Sequence, residues 1–175
     1  MKKIIALLLA VFGFVFSGCE KDDICADTTP TTPRMVIEFY NFANRAELKP
    51  VTNLKVLSGL SQGLAFNNVS SITVPLRTTG DSTEYRFVLN AGNPNPALVY
   101  IDELQFNYTR RDVFVSRACG YKTLYDLNDD DDPETPEPTI LNTTPGSNSG
   151  NWIKDIVIEN YNIENEDEVH VKIYF

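Results

Sequence analysis

Glu168-Val169-His170-Val171-Lys172-Ile173-Tyr174-Phe175 alternates strictly in polarity. Val169, Val171, Ile173 and Phe175 fall on one side, and His170, Lys172 and Tyr174 on the other. A period of two marks a strand with one buried and one wet face. The first side is therefore read as inward and the second as outward. The same period runs back through the chain. Residues 34–40 place Met35, Ile37 and Phe39 together, and 83–90 set Tyr85, Phe87 and Leu89 against Arg86, Val88 and Asn90. Residues 103–109 align Leu104, Phe106 and Tyr108, and Val113 and Val115 continue the pattern beyond Thr109-Arg110-Arg111. Residues 53–57, 71–76, 121–127 and 152–159 are further strands.

Turn-forming clusters separate these runs: Gly80-Asp81, Gly92-Asn93-Pro94 and Pro145-Gly146-Ser147-Asn148. No ten-residue stretch after the N-terminal segment has a convincing period of 3.6, although 42–48 has room for one helical turn. Seven to nine short strands, each with one apolar face, need a second sheet to cover them. The expected fold is all-β, an antiparallel β-sandwich of immunoglobulin-like or transthyretin-like type over residues 34–175.

Composition narrows the function. The 175 residues carry 15 Lys+Arg against 24 Asp+Glu, a formal charge of −9, which disfavours nucleic acid as a partner because phosphate neutralisation needs clustered cations. The 42% hydrophobic content, with ten Phe and eight Tyr, is too rich for a disordered chain. One His and three Cys leave little material for a metal or nucleophile site. No cofactor is expected.

The N-terminus reads as an export signal. Lys2 and Lys3 precede a run from Ile4 to Phe16 that is apolar apart from Gly13. It is shorter than the roughly 20 residues of a membrane-spanning helix. Phe16-Ser17-Gly18-Cys19 resembles a bacterial lipobox, with Phe16 where Leu is preferred. An ordinary signal peptide cut elsewhere is the competing reading. A lipobox implies removal of residues 1–18, a diacylglycerol thioether on Cys19 and an acylated (palmitate-type) amino group. Each buried CH₂ of those chains adds about 0.8 kcal/mol of membrane affinity. The chain from Cys19 onward has 157 residues and a formal charge of −11. Residues 19–33 would be a tether, held extended by Pro30 and Pro33. Glu20-Lys21-Asp22-Asp23 resembles the export signal that carries Bacteroidota lipoproteins to the cell surface. A plain acidic tether facing the periplasm is the alternative.

With Cys19 lipidated, Cys25 and Cys119 remain, and an oxidising compartment favours their pairing. That disulfide would staple the N-terminal segment to a strand in the second half of the domain. The alternative is two free thiols. The acidic loop 128–138 is the one chemical oddity. Counted from Asp126, oxygen-bearing residues recur at calcium-loop positions, among them Asp126, Asn128, Asp130, Asp132 and Glu137. Asp131 stands where the loop's turn needs glycine, so a solvated acidic loop competes with a weak calcium site. Asp27-Thr28-Thr29 and Asp81-Ser82-Thr83 resemble a three-residue O-glycosylation signal, which makes Thr28 and Ser82 weak candidates lying in the tether and in a loop. Trp152, Tyr161 and Tyr174 are weighed as a sugar-stacking face against ordinary packing. No catalytic set is evident.

Cys-Glu-Lys-Asp-Asp-Ile-Cys (19–25), Thr-Thr-Pro-Arg-Met-Val-Ile-Glu-Phe-Tyr (31–40) and Ala-Cys-Gly-Tyr (118–121) together resemble an uncharacterised family of small Bacteroidota lipoproteins of unknown function. The resemblance implies a location and a fold and no site. The expected function is non-enzymatic: a lipid-anchored outer-membrane envelope protein, at the cell surface rather than the periplasmic face, binding another envelope component such as an outer-membrane β-barrel. A surface glycan-binding module is the alternative. A hydrolase would need a pocket holding a perturbed acid or base.

Overall fold

The computed structural model describes residues 24–59, 63–127, 138–141 and 152–175. They contain twelve β-strands, of which nine have four or more residues. There is no α-helix among them, only a 3-10 turn at Pro96–Leu98 capped by Asn95, whose Oδ1 accepts from Ala97 N at 3.0 Å. The segment 42–48 forms turns rather than a helix. Two compact units divide the chain: 32–112 with 123–175, and 113–122 with the segment up to Thr31.

The larger unit is the sandwich. One sheet has the order β10(Asp155–Ile158), β12(Val171–Tyr174), β1(Met35–Tyr40), β4(Ser71–Val74). The other runs β3(Leu64–Phe66), β2(Leu54–Leu57), β5(Ser82–Leu89), β6(Tyr100–Asn107), β9(Thr139–Ile140). A third sheet orders β11(Asn162–Ile163), β8(Gly120–Asp126), β7(Thr109–Ser116). Met35, Ile37, Phe39 and Val171, Ile173 from the first sheet share a core with Leu54, Val56, Tyr85, Phe87, Leu104 and Phe106 from the second. Phe39, Phe87 and Phe106 have no exposed surface. The alternation read from sequence grouped these side chains on one face of their strands, apart from Leu54 and Val56, whose strand was read without a face. β3, β9 and β11 are too short, at two or three residues, to show any period.

One pairing departs from the antiparallel expectation. β1 and β12 run parallel, with Ile37 opposite Val171 and Phe39 opposite Ile173. Parallel neighbours need a long connection, and here most of the sandwich supplies it. β12 is thus a central strand, flanked by β1 and β10. His170 is consequently not the exposed residue expected. It is 1% exposed. Its N–H donates to Val36 O at 3.1 Å, and its Nδ1 accepts from Val36 N at 2.9 Å. The imidazole takes the place of a backbone carbonyl just before the parallel ladder begins. Because Nδ1 accepts, the neutral ring carries its proton on Nε2. Burial pushes its pKa down, against the upward pull of Glu168 and Glu166.

A second device locks the place where the chain passes from the first sheet to the second. Three successive carbonyls after β4 each take a tyrosine hydroxyl. Tyr85 donates to Pro75 O, Tyr125 to Leu76 O at 3.2 Å and Tyr108 to Arg77 O at 3.0 Å. Thr83 Oγ1 accepts from Arg77 N at 3.0 Å and bonds Tyr108 Oη at 2.7 Å, closing a ring. These hydroxyls satisfy main-chain groups that no strand partner reaches. Burial raises the pKa of all three tyrosines, that of Tyr125 to about 12.

The smaller unit is the outer end of the β7–β8 hairpin with the segment from Ile24 to Thr31. Gly120, at φ +73, takes the left-handed conformation that lets the turn after Arg117–Cys119 re-enter a strand. Cys119 N donates to Ser116 Oγ at 3.0 Å inside that turn.

Candidate functional site

Cys25 and Cys119 form a disulfide, with Cα atoms 5.1 Å apart and a sequence separation of 94. Cys119 lies in the hairpin turn rather than on a strand. Cys19 lies outside the described residues, as do Asn128, Asp130, Asp132 and Glu137 of the calcium candidate. Asp126 ends β8, pairs through its backbone with Asn162 and shares a small hollow with Arg111 and Glu164. Among the described residues no three His, Cys, Asp or Glu side chains are grouped closely enough to hold a metal ion.

The two glycosylation candidates differ in setting. Thr28 is exposed in a turn closed by Thr29 N to Ala26 O at 2.9 Å. Ser82 is not in a loop. It opens β5 opposite Asn107, and the neighbouring Thr83 is 1% exposed. The three aromatics weighed as a sugar platform do not form one. Trp152 and Tyr174 are each 7% exposed. Trp152 Nε1 donates to Phe87 O at 3.3 Å, and its ring meets Phe175 edge-on at 5.3 Å. Asp102, which no motif singled out, is buried on β6, with Oδ2 accepting from Ile153 N at 2.8 Å.

The richest surface chemistry lies on the outer face of β1 and β12, where alternation points Tyr40, Lys172 and Tyr174 away from the core. Tyr40 and Tyr174 stack with centroids 5.7 Å apart and a 34° tilt. The Arg45 guanidinium sits 4.4 Å from the Tyr174 ring centre and 5.6 Å from that of Phe42. It also pairs with Asp155 at 2.5 Å. Lys172 lies 5.6 Å from the Tyr40 ring and holds Glu159 at 2.8 Å, which raises the lysine's pKa. Lys49 stands 4.1 Å from the ring of Phe175 and donates to its carbonyl at 2.9 Å. Tyr40 donates to Glu38 at 2.7 Å, so its pKa is raised. Beside this stack an open hollow of about 440 Å³ is lined by Glu38, Glu159, Glu168 and Lys172. The loop after β1 adds Phe42 and Leu48, nearly half exposed. Aromatic rings and arginine are enriched at protein interfaces, whereas lysine and glutamate are depleted, so Phe42, Tyr40 and Arg45 are the interface-like part of this face.

A second hollow, of about 400 Å³, opens beside Leu57, Glu84 and Leu141. Its charged pair, Arg86 and Glu103, faces across the β5–β6 ladder and bonds at 2.9 Å. That pair is a cross-strand tie rather than a reactive group.

A family model described as a family of unknown function, DUF6452, matches residues 54–175. The chain belongs to DUF6452. The match begins at the first residue of β2, so the DUF6452 region contains Cys119 and the candidate face's Lys172 and Tyr174, while Cys25, Tyr40 and Arg45 precede it. Of the three stretches that carried the resemblance in sequence, only 118–121 lies inside the match. No curated protein and no solved structure matches the chain.

Proposed function

We propose that this DUF6452 member is a Bacteroidota-type lipoprotein, anchored in the outer membrane through Cys19 and facing the cell surface. It presents its β-sandwich to another envelope component, such as an outer-membrane β-barrel, and catalyses no reaction. The observation that carries this reading is the Cys25–Cys119 disulfide. It pairs the two cysteines left when Cys19 is assigned to lipid, and disulfides persist in oxidising, extracytoplasmic compartments. The N-terminal pattern from Lys2 to Cys19 supports the same address. The chemistry of the described side chains supports a binding role. His170 serves the backbone, and Arg86, Glu103 and Lys172 are engaged in structural pairs. Arg45, Phe42 and Leu48, exposed beside the half-buried Tyr40 and over the buried Tyr174, offer the partner surface.

Crosslinking of intact envelopes followed by affinity purification of the lipidated protein tests the reading. One discrete envelope protein should be enriched, and R45E combined with L48S should abolish its recovery while leaving the anchor intact. A monomer with no enriched partner, or recovery unchanged by both substitutions, would sink the binding role. Cys19→Ser should release the protein from membranes; retention there would sink the anchor.

A further inference from the structure

The smaller unit is unlike the rest of the molecule in where it puts its apolar side chains. Ile24 is 81% exposed, Tyr121 69% and Phe114 57%. The two rings lean on each other edge-on, 5.4 Å apart. Elsewhere the large aromatics are mostly inside. The exposed trio sits on a scaffold tied together by the Cys25–Cys119 bond, which joins Ile24's neighbour to the turn two residues before Tyr121. Arg117 and Lys122 stand on the hairpin end, while Glu20, Asp22, Asp23 and Asp27 lie along the N-terminal segment.

We propose that this hairpin end is a membrane-contact site, which seats Ile24, Phe114 and Tyr121 in the interfacial layer of the bilayer that holds the lipid on Cys19. The inference rests on the anchor reading above. Tether length selects the lipid surface as the occupant. Cys25 lies six positions after Cys19. At no more than about 3.6 Å per residue, the disulfide is confined to roughly 20 Å from the anchored residue. Within that radius the surface always available is the bilayer itself. Phe and Tyr rings suit the headgroup level, where an apolar body meets a polar rim. Arg117 and Lys122 suit anionic headgroups, which the remainder of an acidic protein repels. The unit would act as a second foot beside the lipid.

Depth-dependent fluorescence tests it. The full lipidated protein, as wild type and as Tyr121→Trp and Phe42→Trp variants, is reconstituted into phosphatidylethanolamine/phosphatidylglycerol vesicles with or without brominated acyl chains. Trp152, nearly buried, gives the constant background. The signal added by Tyr121→Trp should shift to the blue and be quenched by bromine, while the signal added by Phe42→Trp should not. In the Tyr121→Trp background, Ile24→Ser with Phe114→Ser should reverse the quenching. An unquenched indole at position 121, on protein that still floats with the vesicles, overturns this proposal and spares the anchor. Failure to float overturns both. Equal quenching in the Phe42→Trp and Tyr121→Trp variants overturns the assignment of contact to the tip. A photocrosslinker at Phe114 that captures a protein in whole envelopes, with no quenching in vesicles, replaces the lipid with a protein partner.

Discussion

Phe87 and Phe114 are the same residue put to opposite uses. Phe87, on β5, has no exposed surface and belongs to a core shared by two sheets. Phe114, on β7, is more than half exposed and touches Tyr121 in a unit closed by a disulfide. The sandwich is held by burial, the hairpin end by a covalent bond. A small unit without a core of its own needs such a staple, because it removes too little apolar surface from water. The contrast teaches that the exposed rings are not failed core positions. Their burial is not needed for the fold, which leaves them free to meet something else.

The largest expected effect breaks the first half of this comparison. Phe87→Ala deletes a ring packed from both sheets and should cost about 3–5 kcal/mol. Phe114→Ala, removing an exposed ring, should stay within about 0.5 kcal/mol. Urea unfolding of both variants, followed by fluorescence, measures the difference. Similar losses would mean that Phe114 is covered in the folded protein.

Next comes the staple. Replacing Cys25 and Cys119 together by serine opens a loop of 94 residues that runs from the tether through most of the sandwich. Chain-entropy arithmetic puts the loss at roughly 4–5 kcal/mol, within the usual range of about 2–5 kcal/mol for a native disulfide. The effect acts on the unfolded chain, so the sandwich should melt several degrees lower although none of its contacts changes. Amide exchange should rise most in 113–122. A midpoint that does not move would show that the bond stabilises only its own end.

These two cases also mark what the sequence makes legible. Period-two alternation in 34–40, 83–90 and 168–175 correctly assigned Met35, Phe87 and Ile173 to the core. Elimination paired Cys25 with Cys119. Alternation could not say that β12 is a central strand beside β1, because strand order is set by contacts more than a hundred residues apart. His170 and Tyr174 were therefore read as exposed. The tyrosine hydroxyls of 85, 108 and 125 converge on consecutive carbonyls through tertiary folding, and no local spacing announces that. The stacked face of Tyr40, Tyr174 and Arg45 was hidden for the same reason: its members lie on two strands and a loop.

His170 sharpens the comparison from the sandwich side, through pH. Its folded pKa is held below its ordinary value near 6.5 by burial. The unfolded chain then binds the proton more readily than the folded one. The stabilisation is complete above about 6.5 and is lost as pH falls from there toward the lowered folded value. Protonated Nδ1 also ceases to accept from Val36 N. In His170→Asn, an amide oxygen replaces the acceptor without titrating, so the decline below about pH 6.5 should flatten. A stability–pH curve over that range decides it, and an unchanged decline would assign the effect to another group.

The smallest effect concerns the ion pair at the start of β1. Arg34 grips Glu166 through Nε to Oε1 at 2.9 Å and Nη2 to Oε2 at 2.6 Å, and Arg34 N adds a third bond to Oε1 at 3.0 Å. The Arg34 side-chain hydrogen bond holds the Glu166 carboxyl below its ordinary value near 4.5. The contribution is therefore present above about 4.5 and fades as pH falls through the lowered folded value. That window opens below His170's onset near 6.5. Geometry alone would suggest a strong contact, but the side chains are 52% and 33% exposed and water screens them. Glu166→Gln keeps an acceptor for Arg34 N while removing the charge, and should cost less than about 1 kcal/mol. The difference from wild type should shrink further as salt is raised in urea unfolding, because exposed charges are screened within about 10 Å at 0.1 M ionic strength. A loss of several kcal/mol that salt leaves untouched would instead make this pair a structural tie comparable with the disulfide.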